Sequence, residues 1–161
     1  MINAIHDILL RANTALFAQN MCNSIRDLTG FCFEISASSL QKGLYQSGGS
    51  LTAFMHFVSS VQGDFILTTD IAILNDLFKS HQSKDLHIDF EELVSELLNI
   101  AVGATVPELE KKIGPLTLTP PAIVNGTIRF PSILSGNVEI KHKDIVIRCT
   151  LSINLAHLRT A

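Results

Sequence analysis

Apolar side chains recur at three- and four-residue spacing in two long stretches of the chain, which is the periodicity of an amphipathic α-helix. The first stretch covers residues 2–25, and its predicted buried stripe is Ile5, Ile8, Leu9, Ala12, Leu16 and Phe17. The second covers residues 89–103, and its predicted buried stripe is Phe90, Leu93, Val94, Leu97, Leu98 and Ala101. Asp89 occupies the N-cap position of the second helix. A further capping pattern around Pro107, formed by Thr105 and Glu108, predicts that this helix ends near Gly103 and that a short helix follows.

Alternation of apolar and polar side chains predicts β-strands in most of the remaining chain. The predicted strands cover residues 31–37, 51–59, 64–69, 116–119, 128–130, 138–141 and 145–155. Residues 60–63 are expected to form a hairpin turn in which Gly63 takes the left-handed conformation. A second hairpin is expected to turn at residues 142–144. The Pro120 and Pro121 pair separates the predicted strands at 116–119 and 128–130, because proline cannot donate a backbone hydrogen bond to a central β-ladder.

Three other segments connect these elements. Residues 38–50 are polar and contain Gly43, Gly48 and Gly49, but they lack the spacing of a phosphate-binding loop, so we expect a flexible connection. Asp70 can cap a short helix over residues 70–78, and residues 80–86 form a polar link to the helix at 89–103. Helices that precede runs of meandering strands favour an α+β fold, with helices packed on an antiparallel β-sheet. We expect a single domain over residues 1–161.

Composition and charge exclude several classes of function. The chain is 47% hydrophobic and 17% charged, with a formal net charge of −3 and no run of Lys or Arg. Neither nucleic acid nor a membrane surface is therefore expected as a partner. No apolar run approaches the roughly 20 residues of a membrane span, and the N-terminus lacks the features of a secretion signal. Three cysteines without paired spacing suit a reducing compartment, so we expect a cytoplasmic protein.

The candidate chemistry lies on the polar face of the helix at 89–103. Glu96 and Asn99 are one turn apart and project the same way, and a mid-helix Asn costs about a few tenths of a kcal/mol relative to Ala. A solvated helix face is the plain alternative. The six histidines have no metal-binding spacing, and no nucleophile motif is present. Carboxylates on one helix face also lack the opposed geometry that glycoside hydrolysis requires.

The sequence from Glu96 to Gly103 resembles the E-x-x-N-x-x-x-G signature of the CheC/CheX/FliY family of chemotaxis phosphatases. Three further stretches are similar to that family in the same order. Residues 8–13 are similar to part of its first helix, residues 59–67 to its central hairpin, and residues 118–126 to the strand and Pro/Gly turn after its catalytic helix. The resemblance covers nearly the whole chain. It implies a CheC/CheX-like fold and a hydrolase that removes phosphate from the aspartyl phosphate of a CheY-type response regulator.

The resemblance also implies the roles of individual residues. Asn99 positions the attacking water, and Glu96 docks to the conserved Lys of the receiver domain. The protein has no cofactor of its own, because the receiver domain supplies Mg²⁺. The first helix carries LRAN at residues 10–13, an Asn without its Glu, which implies one catalytic centre per chain. That is the CheX arrangement, which implies a homodimer paired through β-strands, and residues 145–155 are a candidate edge strand for that pairing.

The same resemblance leaves a second function open. A non-catalytic module could use this helix to bind a receiver domain, or could serve in assembly of the flagellar switch, as implied by the relation to FliY. Retention of both Glu96 and Asn99 favours the phosphatase.

Overall fold

The computed structural model describes residues 2–79 and 89–154. Its helices are α1 (Ile2–Thr29), α2 (Ile71–Lys79) and α3 (Phe90–Ile113). Its strands are β1 (Glu34–Gln46), β2 (Leu51–Val58), β3 (Gln62–Thr69), β4 (Thr117–Leu118), β5 (Ala122–Asn125), β6 (Arg129–His142) and β7 (Ile145–Asn154). The strands form one sheet in the order β1-β6-β7-β3-β2-β4, with β5 also on β2, and every pairing is antiparallel. The predicted α+β fold with helices on an antiparallel sheet is confirmed.

The main core lies between the helices and one face of the sheet. Phe17 of α1 and Phe65 of β3 are fully buried and meet edge to face, with ring centroids 5.2 Å apart. Gly136 of β6 lets α1 approach the sheet closely, because a Cβ there would lie 2.3 Å from Thr14 Oγ1. Helices α1 and α3 contact each other on this face of the sheet. The face of α3 that points away from the core is therefore open to solvent.

The buried stripe of α1 differs from the predicted one. Ile5 and Ile8 are 66% and 70% exposed, whereas Asn13 and Thr14 are buried. The buried side of α1 includes Thr14, where the helix approaches Gly136 of β6 closely enough that only a small side chain fits. The buried residues of the helix are Leu10, Asn13, Thr14, Phe17, Ala18, Met21, Cys22, Ser24 and Ile25. Periodicity of the large apolar residues alone therefore assigned Ile5 and Ile8 to the buried stripe wrongly, whereas Leu9 packs against the core.

The predicted flexible connection at residues 38–50 is mostly a strand. Strand β1 continues to Gln46 and pairs with β6 along its length, and β6 begins at Arg129 instead of residue 138. Most β1 side chains are exposed, so the strand shows no apolar alternation. Its stability comes from backbone pairing with β6, with register shifts that include one between Gly43 and Tyr45. A long edge strand of this kind leaves little signal in the sequence.

Helix α3 does not end near Gly103 as predicted. It continues through Pro107 to Ile113, and Gly114 closes it by donating its amide hydrogen to the Glu110 carbonyl at 2.9 Å. A proline removes one helical hydrogen bond but does not prevent packing, and Leu109 beyond it is fully buried. Tertiary packing of the second half of α3 outweighs the local signal for a break.

The two predicted hairpins are present. Strands β2 and β3 pair from Leu51 with Thr69 to Val58 with Gln62, and β6 and β7 turn at Lys143, whose φ is 53°. Gly63, however, lies inside β3 and is not in the left-handed region. A Cβ at this position would lie 1.9 Å from the Ser152 carbonyl oxygen, so close backbone approach requires the glycine.

The edges of the sheet also differ from the expectation. Strand β7 lies between β6 and β3, so the segment proposed for pairing is internal. The edges are β1 on one side and β4 with β5 on the other. Helix α2 agrees with the prediction for residues 70–78, whereas the predicted link at 80–86 and residue 155 lie outside the described residues. None of the described helices is long and apolar enough to cross a membrane.

Candidate active site

The N-terminus of α3 is held by its cap. Asp89 has φ −61° and ψ 132°, and its side chain accepts a hydrogen bond from the Glu91 amide at 3.2 Å. Glu91 and Glu92 follow in the first turn, where carboxylates interact favourably with the positive end of the helix dipole. This start sets the register of the helix and therefore the direction of every later side chain.

One face of α3 is buried and the opposite face is exposed. The buried residues are Val94, Leu97, Leu98, Ala101, Val102, Thr105 and Leu109. Glu92, Glu96, Asn99 and Gly103 are exposed. Glu96 and Asn99 are therefore neighbours on the solvent side of the helix, one turn apart. Within the described residues, neither side chain makes a hydrogen bond or an ion pair.

A shallow groove of about 470 Å³ runs between α3 and the segment at β5. Its lining residues are Asp89, Glu91, Glu92, Ser95, Glu96, Asn99, Pro121 and Ile123. Four of these are carboxylates and none is basic, so the groove has a negative potential that favours a cationic group of a ligand or partner. Pro121 and Ile123 form its apolar wall, and sequence analysis did not assign them to the site. The sequence marked this segment only by the Pro120 and Pro121 pair and by the family resemblance of residues 118–126.

The corresponding segment of α1 presents no second pair. Leu10 is completely buried, and Asn13 is only 6% exposed. The Asn13 side chain donates from Nδ2 to the Leu9 carbonyl at 2.8 Å, so its amide is used inside the helix. The LRAN segment therefore differs from ELLN in its orientation as well as in its missing carboxylate.

Other reactive side chains serve the fold. His56 Nδ1 and Asp64 Oδ1 lie 3.1 Å apart on the sheet. Burial raises the pKa of Asp64, and the hydrogen bond and positive charge of His56 oppose the shift. Burial also raises the pKa of the Cys149 thiol, which favours an unreactive protonated form. In the described parts of the chain, no cluster of three or more His, Cys, Asp or Glu side chains is arranged to hold a metal ion.

The chain was compared with known proteins by sequence and by structure. No protein-family model matches it, and no curated protein sequence does. The chemotaxis protein CheX from Desulfovibrio desulfuricans superposes with a TM-score of 0.67 at 13% identity, covering 89% of this chain and 99% of that one.

Two further solved structures share the fold. The CheX–CheY–BeF₃–Mg²⁺ complex from Borrelia burgdorferi matches with a TM-score of 0.62 at 20% identity, covering 87% of this chain and 96% of that one. Thermotoga maritima FliY matches with a TM-score of 0.57 at 13% identity, covering 93% and 90%. From strand order, helix placement and these superpositions, it follows that the chain has the fold of the CheC/CheX-like chemotaxis proteins.

Proposed function

We propose that this chain is a phosphatase that hydrolyses the aspartyl phosphate of a CheY-type response regulator. The observation that carries the proposal is the exposed pair Glu96 and Asn99, unoccupied by other described residues, on the groove face of α3. The CheX structure that was solved with CheY, BeF₃ and Mg²⁺ supports a receiver domain as the partner.

Asn99 positions the attacking water in this proposal. An aspartyl phosphate is an activated acyl phosphate, and its receiver domain holds Mg²⁺ and a Lys against the phosphoryl oxygens. The remaining requirement is a water molecule aligned with the departing carboxylate. A carboxamide both accepts from and donates to such a water, and a hundredfold acceleration requires only about 2.7 kcal/mol of transition-state stabilisation.

Glu96 docks the helix on the receiver. It precedes Asn99 by three residues, a rise of about 4.5 Å, which is a suitable offset for reaching the receiver's Lys while Asn99 reaches the phosphoryl group. A carboxylate–ammonium hydrogen bond is stronger than a neutral one and fixes the helix over the site. The other carboxylates of the groove add to the attraction for that Lys.

The phosphatase needs no cofactor of its own in this proposal, and Mg²⁺ comes with the receiver domain. Four carboxylates line the groove, and Asn99 is the group beside them that positions the water next to the phosphoryl oxygens. The phosphoryl oxygens are negatively charged and would be repelled by the groove carboxylates. The receiver's Mg²⁺ neutralises the charge on those oxygens. The proposal therefore assigns every cation of the reaction to the partner.

We propose further that the protein is cytoplasmic and forms a homodimer joined through the edges of its β-sheets. With β7 internal, β1 is the edge that suits pairing, since it is 13 residues long and pairs with β6 on one side. Two copies of an antiparallel edge strand extend both sheets into one by backbone hydrogen bonds. The groove lies beside the opposite edge, so β1 pairing leaves both grooves open.

The test is the release of inorganic phosphate from a receiver domain phosphorylated by a small phosphodonor. Catalytic amounts of this protein are expected to shorten the lifetime of the phosphorylated receiver. The Asn99→Ala protein is expected to leave that lifetime close to its value without added phosphatase. A lifetime that stays the same with stoichiometric protein would exclude the phosphatase.

A second function rests on the similarity to FliY. The chain would then bind a receiver domain through α3, or serve in assembly of the flagellar switch, without hydrolysing the phosphate. Calorimetric titration with the receiver separates the two functions. Binding with no change in the rate of phosphate release would favour this second function.

A further inference from the structure

Gly103 has no structural role that the described residues explain. It lies in the middle of α3, and apart from its chain neighbours and the adjoining helix backbone, no described atom comes within 4 Å of the position that a Cβ would occupy. Its backbone is not in the left-handed region. A glycine inside a helix costs about 1 kcal/mol relative to alanine. An alanine would therefore fit this chain and stabilise it, so the reason for the glycine lies outside the packing that is seen.

The position of Gly103 relates it to the candidate site. At 3.6 residues per turn, it projects between Glu96 and Asn99 around the helix axis. It lies about 6 Å beyond Asn99 along that axis, since each residue adds 1.5 Å. A partner that brings a phosphoryl group to Asn99 must also cover Gly103.

Pro107 changes the hydrogen bonding at the same place. The Gly103 carbonyl would accept from the amide four residues later, but Pro107 has no amide hydrogen to donate. The carbonyl thus loses its helical donor on the exposed face of α3. This oxygen is then an acceptor for a donor that arrives from outside the helix.

We propose that Gly103 is a close-approach contact for the receiver domain, at which a main-chain segment next to the phosphoaspartate packs on the bare helix and donates an N–H to the Gly103 carbonyl. This inference rests on the proposed function and adds a residue that sets specificity for the partner's shape. A side chain added to α3 at this position would hold the partner's main chain away from the Gly103 carbonyl.

Three variants and one control test the contact. Gly103→Ala and Gly103→Leu add side chains of increasing size at the contact, and Pro107→Ala returns an amide hydrogen to the Gly103 carbonyl. Ala104→Leu is the matched control, because Ala104 is exposed and projects about 100° away from Gly103 around the helix. Urea unfolding, receiver binding and phosphate release are measured for each protein.

Gly103→Ala is expected to unfold at the same or a higher urea concentration than wild type, while its receiver dissociation constant rises about tenfold. Gly103→Leu is expected to weaken binding about a hundredfold or more, and Pro107→Ala about fivefold through loss of one acceptor. The turnover of saturated Gly103→Ala and Pro107→Ala protein stays near that of wild type, because Asn99 is unchanged. The Ala104→Leu control keeps wild-type binding.

Two results would overturn the contact. Gly103→Leu protein with wild-type affinity would show that no partner approaches the helix there, while the phosphatase would still stand on Asn99. A destabilised Gly103→Ala protein would show that the glycine relieves the ring of Pro107 within the helix instead. A wild-type protein that neither binds nor dephosphorylates the receiver would refute the proposed function itself, a result separate from either of these.

Discussion

Asn99 and Asn13 show how strongly the surroundings decide what one residue type does. Asn13 lies on the buried side of α1 and gives its amide hydrogen to the Leu9 carbonyl. Asn99 lies on the exposed side of α3 in an acidic groove, with Glu96 one turn before it. A carboxamide can orient water only where water and a partner reach it, so Asn99 is the candidate of the two.

The first prediction separates the roles of the two site residues. Asn99→Ala is expected to lower turnover of the saturated enzyme about a hundredfold, because the water is no longer positioned, while receiver binding stays near wild type. Glu96→Ala is expected to raise the receiver concentration for half-maximal rate, because the docking ion pair is lost. Phosphate release over a range of receiver concentrations measures both effects.

The matched control for these variants is Glu108→Gln on the same helix. Glu108 pairs with Lys111, beyond the groove residues, so its loss is expected to leave both parameters unchanged. Equal weakening of binding by Asn99→Ala and Glu96→Ala, with turnover at saturation preserved, would contradict the division of roles.

The second prediction concerns Mg²⁺. EDTA is expected to abolish phosphate release from the phosphorylated receiver, since the metal belongs to the partner's site. Titration of the isolated protein with Mg²⁺ is expected to give no binding at micromolar concentration, and p-nitrophenyl phosphate is expected to be a poor substrate. A stoichiometric micromolar metal site together with rapid ester hydrolysis would place the catalytic centre away from Glu96 and Asn99.

The third prediction follows from the raised pKa of Asp64. Burial, opposed by His56, lifts the pKa above its ordinary value of 3.8, so the folded protein holds this proton more tightly than the unfolded chain does. Stability from this group is therefore present at low pH and is lost as pH rises from 3.8 through the folded pKa. Relative to Asp64→Asn protein, wild type is expected to lose stability over that window and to change little above it. Urea midpoints of both proteins across this pH range measure the difference. A wild-type midpoint that rises relative to that of the variant as pH increases would contradict the prediction.

At the scale of elements, α3 carries the candidate site in its first half and continues through Pro107. The Thr105 hydroxyl donates to the Ala101 carbonyl at 2.7 Å and accepts from Asn20 Nδ2 of α1 at 3.1 Å. One of these bonds lies within α3 and the other joins the middle of α3 to α1. The exposed residues before and after Pro107 therefore lie on one continuous helix.

The fourth prediction concerns the close packing of β3. Gly63→Ala is expected to destabilise the fold by at least about 3 kcal/mol, because its Cβ would lie 1.9 Å from the Ser152 carbonyl and 2.5 Å from the Phe57 ring. Gly48→Ala is the matched control, since its Cβ would meet only Arg148 Nη1 at 3.9 Å. Urea unfolding measures both variants, and near-equal midpoints would show that β3 can shift away from β7.

At the scale of the whole molecule, the sheet separates two surfaces. One face carries the main core and the helices, while Tyr45, Ile66 and Ile133 form a second, smaller cluster with Phe54 and Phe130. The Tyr45 hydroxyl and Thr150 Oγ1 lie 3.2 Å apart, which ties the end of β1 to β7. The C-terminal end of β1 is thereby held, while its outer edge faces away from β6.

The fifth prediction concerns assembly. The protein is expected to scatter light as a homodimer, at twice the 17.6 kDa chain mass, at micromolar concentration. Backbone pairing of two β1 edges is the physical basis, so hydrogen exchange of the outward-facing β1 amides is expected to slow with rising concentration. A mass of one chain with concentration-independent exchange would contradict the dimer.

The sequence by itself determined the features whose physics is local. The cap at Asp89, the face shared by Glu96 and Asn99, the two hairpins and the α+β class all follow from spacing within a few residues. The resemblance to the CheC/CheX/FliY family was likewise carried by short stretches, at residues 8–13, 59–67, 96–103 and 118–126. Local signals also misplaced the end of α3, because packing of Leu109 outweighs the proline.

Tertiary structure decided the features that depend on residues far apart in the chain. Strand β1 exists because β6 pairs with it, and Thr14 is buried where α1 approaches Gly136. Pro121 reaches the groove because β5 joins β2. Exposed edge strands carry no apolar alternation. Close contacts between a helix and a sheet favour small side chains, which a search for periodic large apolar residues does not detect. The groove beside Glu96 and Asn99 is therefore a property of the folded chain, while the pair on its floor could be identified from the helix pattern and the family motif.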